Sequence, residues 1–120
     1  MNLVERQHAF ACAVAQLIAW LHDHGYTVSL GEAWRPPETA ALYARQGRGS
    51  ANSLHCDRLA IDLTLRVGGT LLTRSEQYAE AGRYWKTLHE TARWGGDFRD
   101  KEGRSKADGN HFSFAWGGRQ

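Results

Sequence analysis

Apolar residues recur at helical spacing over the first two dozen positions and predict an amphipathic helix at residues 2–24. Gly25 is a suitable stop for this helix. Cys12 lies within the apolar run, and we expect it in the core. The predicted buried stripe comprises Leu3, Phe10, Val14, Leu17 and Leu21, widened by Val4, Ala11 and Ile18.

Three later segments have strand patterns. The clearest is LAIDLTLRV, residues 59–67, in which apolar and polar residues alternate, and HFSFAW, residues 111–116, alternates in the same way. YTVSLGEAW, residues 26–34, has the aromatic and β-branched bias of a strand. After Gly68-Gly69, the segment TLL is expected to pair back as a hairpin, and RWGGDF is expected to form a short strand or turn.

Two further helices are predicted. Pro36-Pro37 should open a short helix over ETAALYARQ, and Thr73-Arg-Ser-Glu76 resembles a capping box at the start of a third helix. Together these elements predict an α+β fold, in which a small, mainly antiparallel sheet packs with about three helices. The buried stripe of the third helix would comprise Tyr78, Ala81, Trp85, Leu88 and Ala92.

Length and composition narrow the class of protein. The 120 residues favour a single domain, residues 1–120, and the net charge of +2 without a recognisable binding motif gives no support for a nucleic-acid partner. The longest apolar run, residues 9–21, is too short to span a bilayer and lacks the flanks of a signal peptide. We therefore expect a monomer that is synthesised in the cytoplasm and has no stable membrane insertion.

Two of the six histidines are candidates for chemistry. His55 and His111 each stand where a loop meets a predicted strand. Asp62 follows His55 by seven residues, and Asp108 precedes His111 by three. Catalytic zinc commonly takes three protein ligands from His and Asp or Glu and keeps a fourth position open. His55, Asp62 and His111 would supply such a set.

The seven-residue offset argues against that site unless the chain bends. In a regular strand, side chains seven apart point to opposite faces. CDR, residues 56–58, is polar enough to form a bend that brings His55 and Asp62 together. The alternative is that Asp62 is a solvated residue on the wet face of the strand. Cys56 is a further possible ligand, but thiolates are typical of closed, structural zinc sites.

Three motifs resemble the zinc D-Ala-D-Ala metallopeptidases, a family with the hedgehog/DD-peptidase fold. SLHCDRLAID is similar to the family's S-x-H-(x)6-D signature, and WGGDF…DGNHFSF is similar to its second signature. GEAWRPPETAALYARQG looks like the family's upstream arginine segment. The family includes D,D-carboxypeptidases and L-alanyl-D-glutamate endopeptidases, many of them bacteriophage endolysins. The three motifs run in family order over most of residues 30–114.

The resemblance implies a role for each matching residue. One zinc ion would be held by the two histidines and Asp62, Asp108 would be the general base, and Arg35 would steady the scissile carbonyl. Ser53 would support the first ligand or contact the substrate. The implied zinc ligands are His55, Asp62 and His111.

The chain departs from the family pattern at Arg58, where many members have Gly, at Thr39, where relatives often have Gln, and at Ser113, where many have Glu. Arg35 has an alternative role in an ion pair with Glu32 or Glu38. Asp108 has one as a turn residue, because Asp-Gly favours turns. For Asp97 the expected role is a structural hydrogen-bond acceptor, and Trp34 and Trp94 are expected in the core or the cleft wall.

The expected function is therefore zinc-dependent cleavage of a peptide bond in the stem or cross-link of peptidoglycan. A phage endolysin would be released to the cell wall by a separate membrane-permeabilising protein. One alternative is a bacterial D,D-carboxypeptidase of cell-wall metabolism. Another is a non-catalytic, zinc-stabilised binding or structural module, since fold does not settle function.

Overall fold

An antiparallel sheet lies at the centre of the structure, with helices packed against it. The computed structural model describes all 120 residues. The strands lie in the order β1-β2-β5-β4, with β3 paired to the end of β2, and every pairing is antiparallel. The predicted α+β fold with three α-helices is confirmed. The elements are α1 (Leu3–Asp23), β1 (Tyr26–Leu30), α2 (Pro37–Arg45), β2 (Ala60–Val67), β3 (Thr70–Leu71), α3 (Ala79–Lys86), β4 (Ala92–Trp94) and β5 (His111–Phe114).

Helix α1 forms as the periodicity predicts and begins at a capping box. The Asn2 side chain accepts a hydrogen bond from the Glu5 N–H at 2.8 Å, which satisfies one of the free donors of the first turn. The prediction that Cys12 is in the core is wrong, because Cys12 is exposed. Its neighbour Ala13 takes the buried position. The buried residues of α1 are Phe10, Ala13, Leu17 and Leu21.

The core lies between α1, α3 and one face of the sheet. Trp85 of α3 is fully buried, and its ring lies 5.3 Å from that of Phe114 and 5.6 Å from that of Phe10. Its indole N–H donates to the carbonyl of Arg93 at 2.9 Å, so burial leaves no unpaired donor. Truncating such a residue to alanine typically costs about 3–5 kcal/mol. None of the helices combines the length and apolar character needed to cross a membrane.

Several predicted boundaries differ from the structure. Strand β1 ends at Leu30 rather than at residue 34. Beyond it, the backbone carbonyl of Glu32 still accepts a hydrogen bond from the Asp62 N–H at 2.9 Å. The third helix begins at Ala79, after a 3₁₀ turn, instead of at the predicted capping box. The side chain of Gln77 caps that turn by accepting from the Thr73 and Arg74 N–H groups at 3.0 and 2.9 Å.

The third helix also ends earlier than predicted, at Lys86. Leu88 therefore lies beyond the helix, and Ala92 is the first residue of β4. His89 lies in the turn between α3 and β4, and its ring stacks on Phe114 with a centroid distance of 4.6 Å. The hairpin formed by β2 and β3 and the short strand in RWGGDF are both confirmed.

Candidate metal centre and cleft

The chain bends sharply between His55 and strand β2. Leu54–Asp57 form a 3₁₀ turn, and Arg58 ends it in the left-handed conformation with φ = 57°. The turn is capped by Ser53, whose hydroxyl accepts a hydrogen bond from the His55 N–H at 3.1 Å. The predicted bend at residues 56–58 is confirmed. Because of this bend, the His55 side chain, which precedes β2, faces the same side of the sheet as the Asp62 side chain within β2.

The bend brings two histidines and one carboxylate together. Strands β2 and β5 pair so that Asp62 lies directly opposite His111. One carboxylate oxygen of Asp62, Oδ1, lies 3.5 Å from Nε2 of His55 and 3.5 Å from Nδ1 of His111. The three candidate ligand atoms all lie within 4.8 Å of one another, so the group is suited to hold a metal ion.

The chemistry of these three side chains suits a metal ion such as zinc. Ligands about 2.0–2.1 Å from a tetrahedral zinc lie about 3.3–3.4 Å from one another. The observed 3.5 Å contacts are near that separation and long for hydrogen bonds. Asp62 Oδ1 and His111 Nε2 are buried and have no hydrogen-bond partner in the protein. Such atoms are costly to bury unless another group satisfies them.

The electrostatics of the site favour an ionised Asp62. Burial opposes its ionisation, but the contacts with His111 and His55 outweigh burial and hold the pKa of the carboxyl well below its ordinary value. Burial lowers the pKa of His55, whereas the Asp62 carboxylate and the Ala33 carbonyl raise it. The net result is a raised pKa for His55.

Asp108 lies beside this group without belonging to it. Its carboxylate is exposed and makes no hydrogen bond to the protein, while its backbone carbonyl accepts from the His111 N–H at 3.1 Å. Its own N–H donates to the Gly95 carbonyl at 2.9 Å. A side chain at Gly95 would not fit, because a Cβ there would lie 2.0 Å from the Asp108 carbonyl oxygen. Gly95 thus permits the close approach that places Asp108 at the cleft.

Arg35 is anchored near the first histidine. Its backbone N–H donates to the His55 carbonyl at 3.1 Å, and its side chain is only 12% exposed. Both Nε and Nη2 of the guanidinium contact the same Glu32 oxygen, with Nε at 2.8 Å. The ion pair considered as an alternative role is therefore present, with Glu32 as the partner. Nη1 stays free of that pair, and Arg35 still lines the cleft.

A cleft of about 700 Å³ contains all six predicted site residues. This volume is within the usual range for ligand sites, about 300–1,000 Å³. The cleft also includes Phe98, the last residue of WGGDF in the second motif, and two cations that the sequence did not single out, Arg99 and Lys106. The predicted site residues that line the cleft are Arg35, Ser53, His55, Asp62, Asp108 and His111.

The other candidates have structural positions. Cys56 is outside the three-residue group, and both cysteines are free thiols. Trp94 is buried, and its indole N–H donates to the Gly109 carbonyl at 2.7 Å, which ties β4 to the segment carrying Asp108. Trp34 is half exposed, under the Arg58 guanidinium at 4.5 Å. Asp97 accepts from the Lys86 ammonium at 2.7 Å.

Comparison with known proteins identifies the fold. No protein-family model matches the chain, and no curated protein matches it. The crystal structure of Serratia marcescens L-Ala D-Glu endopeptidase ChiX is similar, with a TM-score of 0.68 and 17% sequence identity. The match covers 96% of this chain and 87% of that one. The chain therefore shares the fold of a known peptidase over nearly its whole length.

Proposed function

We propose that the protein is a zinc-dependent peptidase that cleaves an L-Ala-D-Glu or D-Ala-containing peptide bond of peptidoglycan. The observation that carries the proposal is the convergence of His55, Asp62 and His111 in a cleft beside Asp108. The shared fold with an L-Ala D-Glu endopeptidase supports the choice of substrate. This proposal extends the family resemblance of the three sequence motifs.

The proposed zinc ligands are Nε2 of His55, the Asp62 carboxylate and Nδ1 of His111. Two neutral imidazoles and one carboxylate leave a fourth position for water or substrate, as in catalytic rather than structural sites. Zinc held by these residues would supply a Lewis acid, which lowers the pKa of water from 15.7 toward about 7 in sites of this kind. The buried, unpartnered Asp62 Oδ1 is consistent with this use.

Asp108 would take a proton from the attacking water and return it to the leaving amine. Its carboxylate suits this role because no protein group forms a hydrogen bond with it and because it lies outside the ligand set. Transfer of this kind contributes about 10²–10⁴-fold in rate. The three-residue spacing lets the loop carry the base while β5 carries His111.

Arg35 would stabilise the negative charge that develops on the carbonyl oxygen. A guanidinium stays charged at any working pH, and the Glu32 pair holds its plane while Nη1 remains available. Ser53 has a supporting role, since its hydroxyl already accepts from the His55 N–H. It also lines the cleft and is within the region where substrate would lie.

The proposed biological role is host lysis by a bacteriophage endolysin. In this role a monomer is made in the host cytoplasm and reaches the wall after a separate protein permeabilises the membrane. Support comes from the resemblance of the three motifs to endolysins of this family. A bacterial D,D-carboxypeptidase would use the same residues on a terminal D-Ala instead of an internal bond.

The test is to incubate zinc-loaded protein with defined muropeptides and identify the new termini by mass spectrometry. We expect cleavage that a chelator abolishes and zinc restores. New termini at L-Ala-D-Glu would identify an endopeptidase, and release of D-Ala would identify a carboxypeptidase. Cleavage that resists the chelator would disprove the zinc mechanism. No cleavage of any substrate would favour a non-catalytic zinc-stabilised module.

A further inference from the structure

One wall of the cleft is a tight hairpin at residues 98–106. The Lys106 N–H donates to the Phe98 carbonyl at 2.8 Å, and Arg99 and Ser105 form an antiparallel bridge. The Asp100 carboxylate holds the turn by accepting from the Glu102 and Arg104 N–H groups at 3.0 and 2.9 Å. These bonds give the hairpin a defined shape, although most of its residues are exposed.

The base of the hairpin contacts the candidate metal centre. The Phe98 ring lies against the His111 ring, with a centroid distance of 5.3 Å. At the other end, Lys106 is two residues before Asp108. Side chains at the base of the hairpin are therefore held next to the proposed ligands and base.

Four cations occupy the hairpin, and they are not equivalent. Arg104 pairs with Asp100 at 3.0 Å and with Glu102 at 3.3 Å. Lys101 does not line the cleft. Arg99 and Lys106 do line it, and neither has an acidic partner within ion-pair distance. These two residues bring uncompensated positive charge to the cleft.

The remaining cations of the cleft each have an acidic partner within the protein. Arg35 pairs with Glu32, and Arg119 pairs with Asp57 at 2.5 Å. A substrate carboxylate entering here would meet repulsion from Asp108 and no free cation except those of the hairpin. Arg99 and Lys106 lie where they can offset that repulsion, because they share the cleft with Asp108.

We propose that Arg99 and Lys106 form a carboxylate-binding subsite for the substrate residue next to the scissile bond. This inference rests on the proposed function, since it names a substrate feature recognised by the same cleft. An arginine presents a planar fork that suits a carboxylate, and a lysine adds a point charge. The substrate class is a peptide with a free α-carboxylate, such as that of γ-linked D-glutamate.

The test compares two peptides that differ in one group: L-alanyl-γ-D-glutamyl-L-lysine with a free D-Glu α-carboxylate, and the same peptide with an α-carboxamide there. We expect KM for the carboxylate to be about two- to fivefold lower, the range for an exposed charge contact. In the double variant Arg99→Gln/Lys106→Gln, this preference should be lost because KM for the carboxylate rises to that for the carboxamide. Lys101→Gln, a matched change on the same hairpin, should retain it.

A binding measurement separates this inference from the proposed activity. Calorimetry on the zinc-loaded protein should show tighter binding of the carboxylate peptide, and the difference should shrink at high salt. Equal KM values for the two peptides, or a preference that survives the double variant, would overturn the subsite and leave the peptidase intact. If neither peptide is cleaved but the carboxylate peptide is still bound preferentially, the subsite is sustained and cleavage of the L-Ala-D-Glu bond is overturned. Absence of binding to both would overturn the subsite.

Discussion

Nδ1 of His55 donates a hydrogen bond to the backbone carbonyl of Ala33 over 2.9 Å. A carbonyl can only accept, so this contact places the ring proton on Nδ1 and leaves the lone pair of Nε2 directed toward Asp62. Ala33 is two residues before Arg35 in the segment that follows β1. That segment therefore both orients a proposed ligand and delivers the proposed carbonyl-stabilising arginine. Partners of this kind behind a metal ligand commonly raise affinity.

Zinc affinity should decline as pH falls. In the metal-free protein the pKa of His55 is raised, so a proton increasingly occupies the site below that pKa and zinc must displace it. Asp62, with its lowered pKa, stays ionised from pH 5.5 to 8 and does not contribute to the pH dependence of zinc affinity over this range. Below the His55 pKa, affinity should fall about tenfold per pH unit for each proton displaced.

Competition with a chromophoric chelator at pH 5.5–8 measures this dependence. His8→Gln provides a control, because His8 is an exposed histidine of α1 far from the ligand set in sequence. Its titration curve should match that of the unsubstituted protein. A zinc affinity independent of pH would show that zinc binding does not displace a proton from His55.

Substitution of the two aspartates should separate metal binding from proton transfer. Asp62→Asn removes the charge that lies 3.5 Å from both histidine nitrogens and should lower zinc content. Asp108→Asn should retain zinc, because Asp108 is outside the three-residue group, while losing about 10²–10⁴-fold in kcat. Zinc analysis by mass spectrometry and steady-state kinetics on both variants provide the check. An equal loss of metal from both would contradict this division of roles.

Glu32 should act as a positioning residue for Arg35. Removing its charge in Glu32→Gln leaves the guanidinium with weaker contacts at Nε and Nη2, so kcat should fall about tenfold with KM and zinc content nearly unchanged. Glu38→Gln is the matched control, since Glu38 is exposed in the first turn of α2 and makes no ion pair with Arg35. Glu32→Asp should restore part of the activity. Equal effects of the two Gln variants would show that the ion pair does not position Arg35.

Much of the fold was predictable because its patterns are local. The alternation in β2 and β5 and the period of α1 depend on nearby residues, and these elements formed where expected. The proximity of His55, Asp62 and His111 was also expected, once residues 56–58 were allowed to bend. Their use as zinc ligands stays a prediction.

The features that the sequence did not indicate are those that depend on tertiary contacts. Cys12 and Ala13 are adjacent in one helix, and only the packing of α1 on the sheet decides which of them is buried. The third helix stops at Lys86 because the chain turns there to form β4, which a continuing apolar pattern concealed. Arg99 and Lys106 resemble any loop cations in sequence, and only the folded hairpin places them at the cleft.

The bend at Arg58 can be tested through its backbone conformation. Arg58 has φ = 57°, a region that costs a side-chain-bearing residue about 1–2 kcal/mol and β-branched residues more. Arg58→Gly would relieve this cost but lose the contact with Trp34 and gain unfolded-state freedom, so stability should change by less than about 1 kcal/mol.

Arg58→Val, in contrast, should destabilise the metal-free protein by about 2 kcal/mol and lower its zinc content, because the turn that presents His55 cannot close without strain. The same substitution at Arg66, a regular position of β2, is the control and should be tolerated, since valine favours strands. Urea unfolding and zinc analysis measure both effects. If Arg58→Val and Arg66→Val unfold at the same urea concentration and bind equal zinc, the left-handed residue does not determine the bend.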